Sequence, residues 1–269
     1  MATEIHHTAT VHPDTQIGRN VEIGPGCIVE SDVYIGDYTR LDPYSQVKRF
    51  TRLGGECHVH SYAVVGGEPQ DLKFQGEESW LEVGDKTTIR EFVTIHRGTE
   101  GGGGTTRIGA GCLLMSYVHI AHDCLLGNGV ILSNAVNLAG HIEIRDRAVV
   151  GGMTGVHQFT RIGEYAFVGA MSGVAQDIPP YTLATGNRAK LRGLNLIGLR
   201  RAGFDQEALS SLKKTYMLLF RSGKERRDAL NQAEEAYGSC EEVMRMLGFI
   251  RESERGVASA LRNGEDQEF

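Results

Sequence analysis

The sequence has few of the features that mark secreted, membrane-spanning or nucleic-acid-binding proteins. Its five cysteines are odd in number and include no Cys-x-x-Cys pair, which favours a reducing compartment over a disulfide scaffold. No run approaches the roughly 18 apolar residues of a membrane span. Residues 1–14 lack the basic start and apolar run of a signal peptide. The net charge of −6 disfavours nonspecific nucleic-acid binding. We therefore expect a cytoplasmic protein with no membrane span and no nucleic-acid partner.

The feature that organises the sequence is a six-residue repeat. Tryptophan occurs once but glycine 35 times, which favours many tight turns. Aliphatic residues recur every six positions from Ile5 to Val65, and again from Ile108 to Val174. This period fits neither a 3.6-residue helix nor an alternating strand. It predicts a hexapeptide β-helix, in which three hexapeptides form a coil and coils stack roughly 4.8 Å apart. The aliphatic residue, and the small residue four positions later, should point inward.

Two stretches interrupt the repeat and predict loops that leave the coil. Residues 66–82 break the pattern but keep its phase, because Val65 and Val83 are 18 positions apart. Residues 99–106 shift the phase by seven positions. Excursions from a regular solenoid usually lie on its binding face.

After the repeat, the pattern becomes helical from about Leu191. Asp205 is the expected N-cap of a long helix, and two more helices are expected near 224–237 and 239–252. Residues 255–269 are expected to fray. The predicted fold is mainly β, with a parallel β-helix over residues 1–186 and a small C-terminal α-helical domain over residues 187–269.

The stretch VHIAHDC, residues 118–124, carries four side chains capable of chemistry. Cys124 stands four positions after Ile120, which is an inward position. His122 and Asp123 stand two and three positions after Ile120, so both should point outward. A Cys-His nucleophile pair is therefore not expected. Three further cysteines share the inward position: Cys27, Cys57 and Cys112.

Half of the ten histidines are expected along one edge of the solenoid, over four coils. General-base catalysis needs one histidine of near-neutral pKa and an orienting partner, which Asp123 could provide for His122. The Gly140 N–H offers a donor for the oxyanion of an acyl transfer. We interpret this edge as the wall of an active site. The residues aligned there by the coil period are His96, His119, His122, His141 and His157, with Gln158 alongside.

Six motifs in order resemble the bacterial UDP-N-acetylglucosamine O-acyltransferase family, and the resemblance covers essentially the whole chain. It implies a left-handed coil and a homotrimer with active sites between neighbouring subunits. It also implies transfer of a (3-hydroxy)acyl chain from acyl carrier protein to the glucosamine 3-position of UDP-N-acetylglucosamine. This is the first step of lipid A biosynthesis and uses no metal or other cofactor. The motifs are QDLKFQGE (70–77), TIHRG (94–98), HIAHDC (119–124), LAGH (138–141), GGMTGVHQF (151–159) and SGVAQDIPPY (172–181).

The resemblance also implies roles for individual residues. His122 would be the base that deprotonates the sugar hydroxyl, Asp123 its partner, and Gly140 the oxyanion donor. Ala170 and Met171 would limit the length of the acyl chain. The substrate-binding residues would be Gln70, Asp71, Lys73, His96, His119, His141, His157, Gln158, Asn195 and Arg201.

Some positions depart from the family pattern. Ile197 replaces a glutamate and Ala202 an arginine, so recognition of the nucleotide end is expected to differ. Ala170 stands where relatives that use long chains have glycine, which predicts a shorter acyl chain. Residues 187–204 contain five Arg or Lys and no acid, which suits an acidic carrier protein or phosphates.

Three alternatives remain open at the level of sequence. The related N-acyltransferase of the same pathway shares histidine-bearing repeats but carries an additional N-terminal uridine-binding domain. A zinc lyase of the γ-carbonic-anhydrase type would use three histidines, although the H-x-x-H-D spacing here differs from the H-x4-H of those enzymes. A non-catalytic trimeric scaffold would leave the histidines without a purpose. The sequence leaves open the acyl length, its 3-hydroxylation, and whether the acceptor carries a 3-hydroxyl or a 3-amine.

Overall fold

The computed structural model describes residues 2–261 and shows a parallel β-helix with three faces, each a sheet of very short strands. The first face contains Glu4–Ile5 (β1), Glu22–Ile23 (β4), Arg40–Leu41 (β7), His58–Val59 (β10), Thr88–Ile89 (β13), Leu113–Leu114 (β16), Ile131–Leu132 (β19), Val149–Val150 (β22) and Phe167–Val168 (β25). The second face contains Thr10–Val11 (β2), Ile28–Val29 (β5), Gln46–Val47 (β8), Val64–Gly67 (β11), Thr94–His96 (β14), His119–Ile120 (β17), Asn137–Leu138 (β20), Gly155–Val156 (β23) and Gly173–Val174 (β26). The third face contains Gln16–Ile17 (β3), Val33–Ile35 (β6), Thr51–Leu53 (β9), Trp80–Val83 (β12), Thr105–Ile108 (β15), Leu125–Leu126 (β18), Glu143–Ile144 (β21) and Arg161–Ile162 (β24).

The core confirms the six-residue period. From Ile23 to Val174, every aliphatic residue of the repeat is at most 4% exposed. Each such side chain contributes roughly 1.5–3 kcal/mol when it is fully buried. Ile5 is 47% exposed because it lies in the terminal coil, where only one side has a neighbouring coil.

Both interruptions leave the coil as loops. The first loop spans residues 68–79, between β11 and β12, and the second spans residues 97–104, between β14 and β15. Arg97 fixes the first loop to the coil, since its buried guanidinium lies 5.4 Å from the ring of Phe50 and 5.2 Å from that of Phe74. Such cation–π contacts strengthen when the cation is desolvated.

The end of the solenoid departs from the predicted pattern. Thr182–Thr185 (β27) and Lys190–Leu194 (β28) form an antiparallel hairpin that continues the first face. The expectation that the helical region begins at about Leu191 is therefore wrong, because Leu191 is fully buried in a strand. The helices are Leu196–Arg201 (α1), Gln206–Phe220 (α2), Arg226–Tyr237 (α3) and Glu241–Arg251 (α4).

The predicted helix cap at Asp205 is confirmed, whereas the predicted fraying of the C-terminal residues is not. Asp205 caps α2, since its carboxylate accepts a 2.7 Å hydrogen bond from the Ala208 N–H. The expectation of fraying from residue 255 is wrong up to residue 261, because Val257 and Ala260 form bridges to Asp177 and Leu191. Residues 262–269 lie outside the described part of the chain. Among residues 2–261, no helix has both the length and the apolar character of a membrane span.

Candidate active site

Four of the five predicted histidines form two contacting pairs on the second face and at its edge. His96 and His119 stand on adjacent strands, with ring centroids 5.2 Å apart. His122 and His141 occupy equivalent turns one coil apart, and their rings meet edge to face at 5.1 Å. His157 belongs to the same face but is exposed, and its Nδ1 lies 3.1 Å from the carbonyl oxygen of Gln158.

Asp123 points out of the coil, as its register predicts, but it is buried. Its side chain is 1% exposed, because the second loop folds over it. Thr99 in that loop donates to the carboxylate twice, from its N–H at 2.8 Å and its hydroxyl at 2.7 Å. A Cβ on Gly102 would overlap the same carboxylate, which explains why the loop needs glycine there.

His122 and Asp123 form a direct hydrogen bond. His122 Nδ1 lies 2.7 Å from Asp123 Oδ2, and the imidazole is 13% exposed. A carboxylate at Nδ1 favours the tautomer that carries its proton there, which leaves Nε2 free to accept a proton. The arrangement is that of an oriented general base.

The same region also offers the ligand types of a metal site. One ligand atom from each of His122, Asp123 and His141 lies within 4.8 Å of the other two. However, His141 Nε2 is 3.8 Å from Asp123 Oδ2, and Thr99 already donates hydrogen bonds to both oxygens of the Asp123 carboxylate, which leaves neither oxygen free for a metal ion. The geometry therefore favours a hydrogen-bonded His122–Asp123 pair over a zinc centre.

Gly140 lies directly against the imidazole of His122. A Cβ built on Gly140 would stand 2.7 Å from Cε1 and 2.9 Å from Nε2 of His122. Among residues 2–261, the Gly140 N–H has no hydrogen-bond acceptor, so it is free for a ligand. Base and free donor are thus adjacent, as acyl transfer requires.

We expect Gly140→Ala to lower kcat for acyl transfer by about 100-fold, because the added methyl must displace the imidazole and small misplacements are costly in catalysis. Steady-state kinetics would measure the effect. Gly248→Ala is the matched control, since a Cβ there meets no atom within 4 Å. Full activity in Gly140→Ala would contradict the placement of His122.

The environment keeps two histidines neutral and Cys124 inert. Burial lowers the pKa of His96 more than its hydrogen bond to the Glu68 carbonyl raises it, and the nearby His122 lowers it further. Burial likewise lowers the pKa of His119, with His96 adding to the effect. Burial raises the pKa of Cys124 to about 12, and its thiol donates to the carbonyl of Ala139. The prediction that this cysteine is a core residue is confirmed.

A groove of about 490 Å³ runs along the second face beside these histidines. Small residues leave it open, and His119 and His157 contribute two imidazoles to it. Ala170 and Met171 are exposed in the turn before β26 and do not line this groove. The lining residues are His119, Asn137, Leu138, Ala139, Gly155, Val156, His157, Gly173, Val174, Ala175, Asn187 and Arg188.

The remaining predicted residues lie at the periphery of this site within one chain. Gln70 and Lys73 are exposed in the first loop, where the Asp71 carboxylate accepts the Lys73 N–H at 3.0 Å. The loop begins beside the site, because His96 Nδ1 is hydrogen-bonded to the carbonyl oxygen of Glu68.

The two residues predicted at the nucleotide end belong to α1. The Asn195 carboxamide caps this helix, accepting from Gly198 at 3.1 Å and donating to the carbonyl of Tyr165 at 2.9 Å. Arg201 is exposed in the last turn. The two residues that differ from the family pattern at this end also lie on the surface. Ile197 is 67% exposed, and Ala202 is the exposed C-cap of α1.

The coil and its histidine-lined edge define a hexapeptide-repeat transferase. The family model for bacterial transferase hexapeptides, of six repeats, matches residues 105–140. The model for domain 2 of UDP-N-acetylglucosamine O-acyltransferase matches residues 177–258. An acyl-[acyl-carrier-protein]–UDP-N-acetylglucosamine O-acyltransferase of Thermodesulfovibrio yellowstonii is 45% identical over 94% of this chain and 98% of its own length.

Solved structures give the same result. The UDP-N-acetylglucosamine acyltransferase of Campylobacter jejuni is 41% identical, with a TM-score of 0.91 over 96% of this chain and 100% of its own. The corresponding structure from Acinetobacter baumannii is 39% identical, with a TM-score of 0.91 over 94% of this chain and 99% of its own. The chain belongs to the family of acyl-[acyl-carrier-protein]–UDP-N-acetylglucosamine O-acyltransferases.

Proposed function

We propose that this chain transfers an acyl group from acyl carrier protein to the 3-hydroxyl of the glucosamine ring of UDP-N-acetylglucosamine, as the first step of lipid A biosynthesis in the cytoplasm. The observation that carries the proposal is the 2.7 Å bond between His122 Nδ1 and the buried carboxylate of Asp123. The names of the relatives supply the substrates.

His122 Nε2 removes the proton from the sugar 3-hydroxyl as its oxygen attacks the thioester carbonyl. The Gly140 N–H stabilises the oxyanion that forms on the carbonyl. The intermediate then collapses, the carbon–sulfur bond breaks, and the carrier thiolate takes the proton back from the imidazole. A thioester is activated enough that this step needs no metal.

The neutral imidazoles of His96 and His119 line the acceptor side of the cleft, with His141, His157 and Gln158 further along the same edge. In their neutral forms, imidazoles both donate and accept hydrogen bonds, which suits sugar hydroxyls. Gln70, Asp71 and Lys73 close the cleft from the first loop, where the Lys73 ammonium meets the diphosphate.

The active unit in this proposal is a homotrimer. Within the part of the chain that the structure describes, residues 2–261, the groove on the second face is open along its length and has no opposite wall. A neighbouring subunit supplies that wall and brings Asn195 and Arg201 to the nucleotide end. The basic segment 187–204 meets the acidic carrier protein.

The acceptor chemistry can be tested directly. The purified full chain is incubated with acyl carrier protein bearing a 3-hydroxyacyl chain, and with UDP-N-acetylglucosamine or its 3-amino analogue. We expect an alkali-labile ester with the natural sugar. Acylation of the 3-amino analogue alone, giving an amide, would overturn the proposal in favour of an amine acceptor.

We expect the chain to prefer a shorter acyl group than its Ala170→Gly variant, because in the proposed trimer the Ala170 methyl, in the turn between β25 and β26, blocks the far end of the acyl chain. One misplaced methylene changes kcat/KM by roughly 10-fold or more. Competing carrier-linked chains of graded length, with products separated by mass, measure the preference. Ala110→Gly is the control, since Ala110 also follows a glycine in a turn but lies between the third and first faces, whereas Ala170 lies next to the second face. An unchanged length preference in Ala170→Gly would remove Ala170 from this role.

A further inference from the structure

A second cluster of metal-ligand side chains lies outside the acyltransferase site, on the first face. His58 lies in β10 and His60 directly follows it, on either side of the fully buried Val59, so both imidazoles project outward. Asp42 occupies the position equivalent to His60 one coil earlier, 18 residues before it. The coil therefore brings two imidazoles and a carboxylate together.

Both imidazoles approach the same oxygen of the Asp42 carboxylate. His58 Nε2 lies 2.8 Å from Asp42 Oδ2, and His60 Nδ1 lies 3.3 Å from the same oxygen. The two imidazoles stack with centroids 3.9 Å apart. One ligand atom from each residue lies within 4.8 Å of the others. The ligand atoms of a tetrahedral zinc ion, at bond lengths of about 2.0–2.1 Å, lie roughly 3.3 Å from one another. Small side-chain rotations are enough to bring the three ligand atoms here to that spacing.

The scaffold holds this cluster rigidly. The Asp42 N–H donates to the carbonyl of Val59 at 2.8 Å, and the His60 N–H donates to that of Ile89 at 2.8 Å. Arg40 Nε donates to Asp42 Oδ1 at 2.8 Å, which orients the carboxylate and leaves Oδ2 facing the imidazoles. Hydrogen-bonded ligands of this kind are typical of metal sites.

A fourth ligand is within reach. Glu91 Oε1 lies 3.7 Å from His60 Nδ1, and the Glu91 carboxylate is fixed by Arg90 and by a 2.9 Å bond from the Ser116 hydroxyl. The side chains of Asp42 and His60 are 14% and 19% exposed, so the cluster is formed yet reachable from solvent.

We propose that Asp42, His58 and His60 bind a divalent transition-metal ion, with Zn²⁺ the best match to two imidazoles and one carboxylate, and with Glu91 or water in the fourth position. The ion joins three successive coils, since Asp42, His58 and Glu91 each belong to a different one. The site is separate from the acyl-transfer chemistry, because none of its residues lines the groove beside His119 and His157.

The test is a metal titration of the full chain after treatment with a chelator. Co²⁺ reports its coordination number through its visible absorption, and Zn²⁺ affinity is measured by calorimetry. We expect one four-coordinate ion per chain, and at least about a 10-fold loss of affinity in Asp42→Asn and in His60→Gln. Zn²⁺ should also raise the Tm of the wild type but not that of these variants. Retained acyl transfer verifies that both variants are folded.

Two controls separate this site from other metal-binding positions. His122→Gln removes a ligand of the catalytic cluster, and a double substitution of His6 and His7 by Gln removes the N-terminal pair, whose rings lie 4.4 Å apart. Both controls should retain the ion. Loss of the ion in either control, affinity unchanged in Asp42→Asn and His60→Gln, or no stoichiometric binding in the wild type would each overturn the proposal.

Discussion

Replacing His122 with alanine should lower kcat for acyl transfer by about 100- to 10,000-fold, the range contributed by a positioned general base. Two nearby imidazoles, those of His96 and His119, cannot take over this role without losing their own hydrogen-bond partners. His119 is tied to the Thr94 hydroxyl at 2.8 Å, and His96 to the carbonyl of Glu68. The measurement is the rate of acyl transfer from acyl carrier protein to UDP-N-acetylglucosamine at saturating substrate.

The matched control for this experiment is His12→Ala, because His12 is a half-exposed histidine in the first coil. It should keep the wild-type rate. Binding of UDP-N-acetylglucosamine to His122→Ala should remain within a few-fold, since the base acts chiefly in the transition state. Full turnover by His122→Ala would disprove the mechanism.

The six-residue period was sufficient to predict the placement of the inward residues and of the histidines. Because successive coils superpose residues 18 apart, spacing alone placed His141 over Asp123, and so next to His122, and sent Cys124 into the core. The reason is the regularity of the scaffold, since each strand pairs in fixed register with the equivalent strand of the next coil.

The burial of Asp123 could not be predicted from that register. Its outward position was read correctly as lying outside the coil, but the second loop covers it and supplies Thr99 as its partner. The sequence TEGGGGTT indicated a loop but did not predict its conformation, since each of the four glycines can adopt many combinations of φ and ψ. Thr99 is therefore a site residue that sequence reasoning missed. The signal that could have indicated it is the break in the six-residue repeat next to the histidine cluster.

The start of the helical region was misjudged for a related reason. Leu191 and Leu194 fit a helical pattern, but the hairpin of β27 and β28 extends the first face and buries Leu191 completely. Tertiary pairing at the open end of the sheet outweighs the local periodicity there. Asn195 then serves to cap α1, a local role that its family position did not indicate.

Asp123→Asn should lower kcat by about 100- to 10,000-fold while nearly preserving the shape of the side chain. An amide at this position favours the wrong imidazole tautomer, and the same exchange in a Ser-His-Asp triad costs about 10,000-fold. KM for the sugar nucleotide should change little, because the effect arises from the protonation of His122 and leaves the cleft in place. Steady-state kinetics over both substrates separates kcat from KM.

Asp123 also anchors the second loop, so an anchoring role must be distinguished from an orienting one. Thr99→Val removes the 2.7 Å bond from the Thr99 hydroxyl but leaves the His122–Asp123 bond in place. It should reduce stability by about 1.5–3 kcal/mol, as expected for a hydrogen bond to a buried charge, and lower kcat far less than Asp123→Asn does. If both variants lose kcat equally and in proportion to their loss of stability, the carboxylate acts by holding the loop. If only Asp123→Asn loses kcat, it acts by orienting the base, as the 2.7 Å contact with Nδ1 indicates.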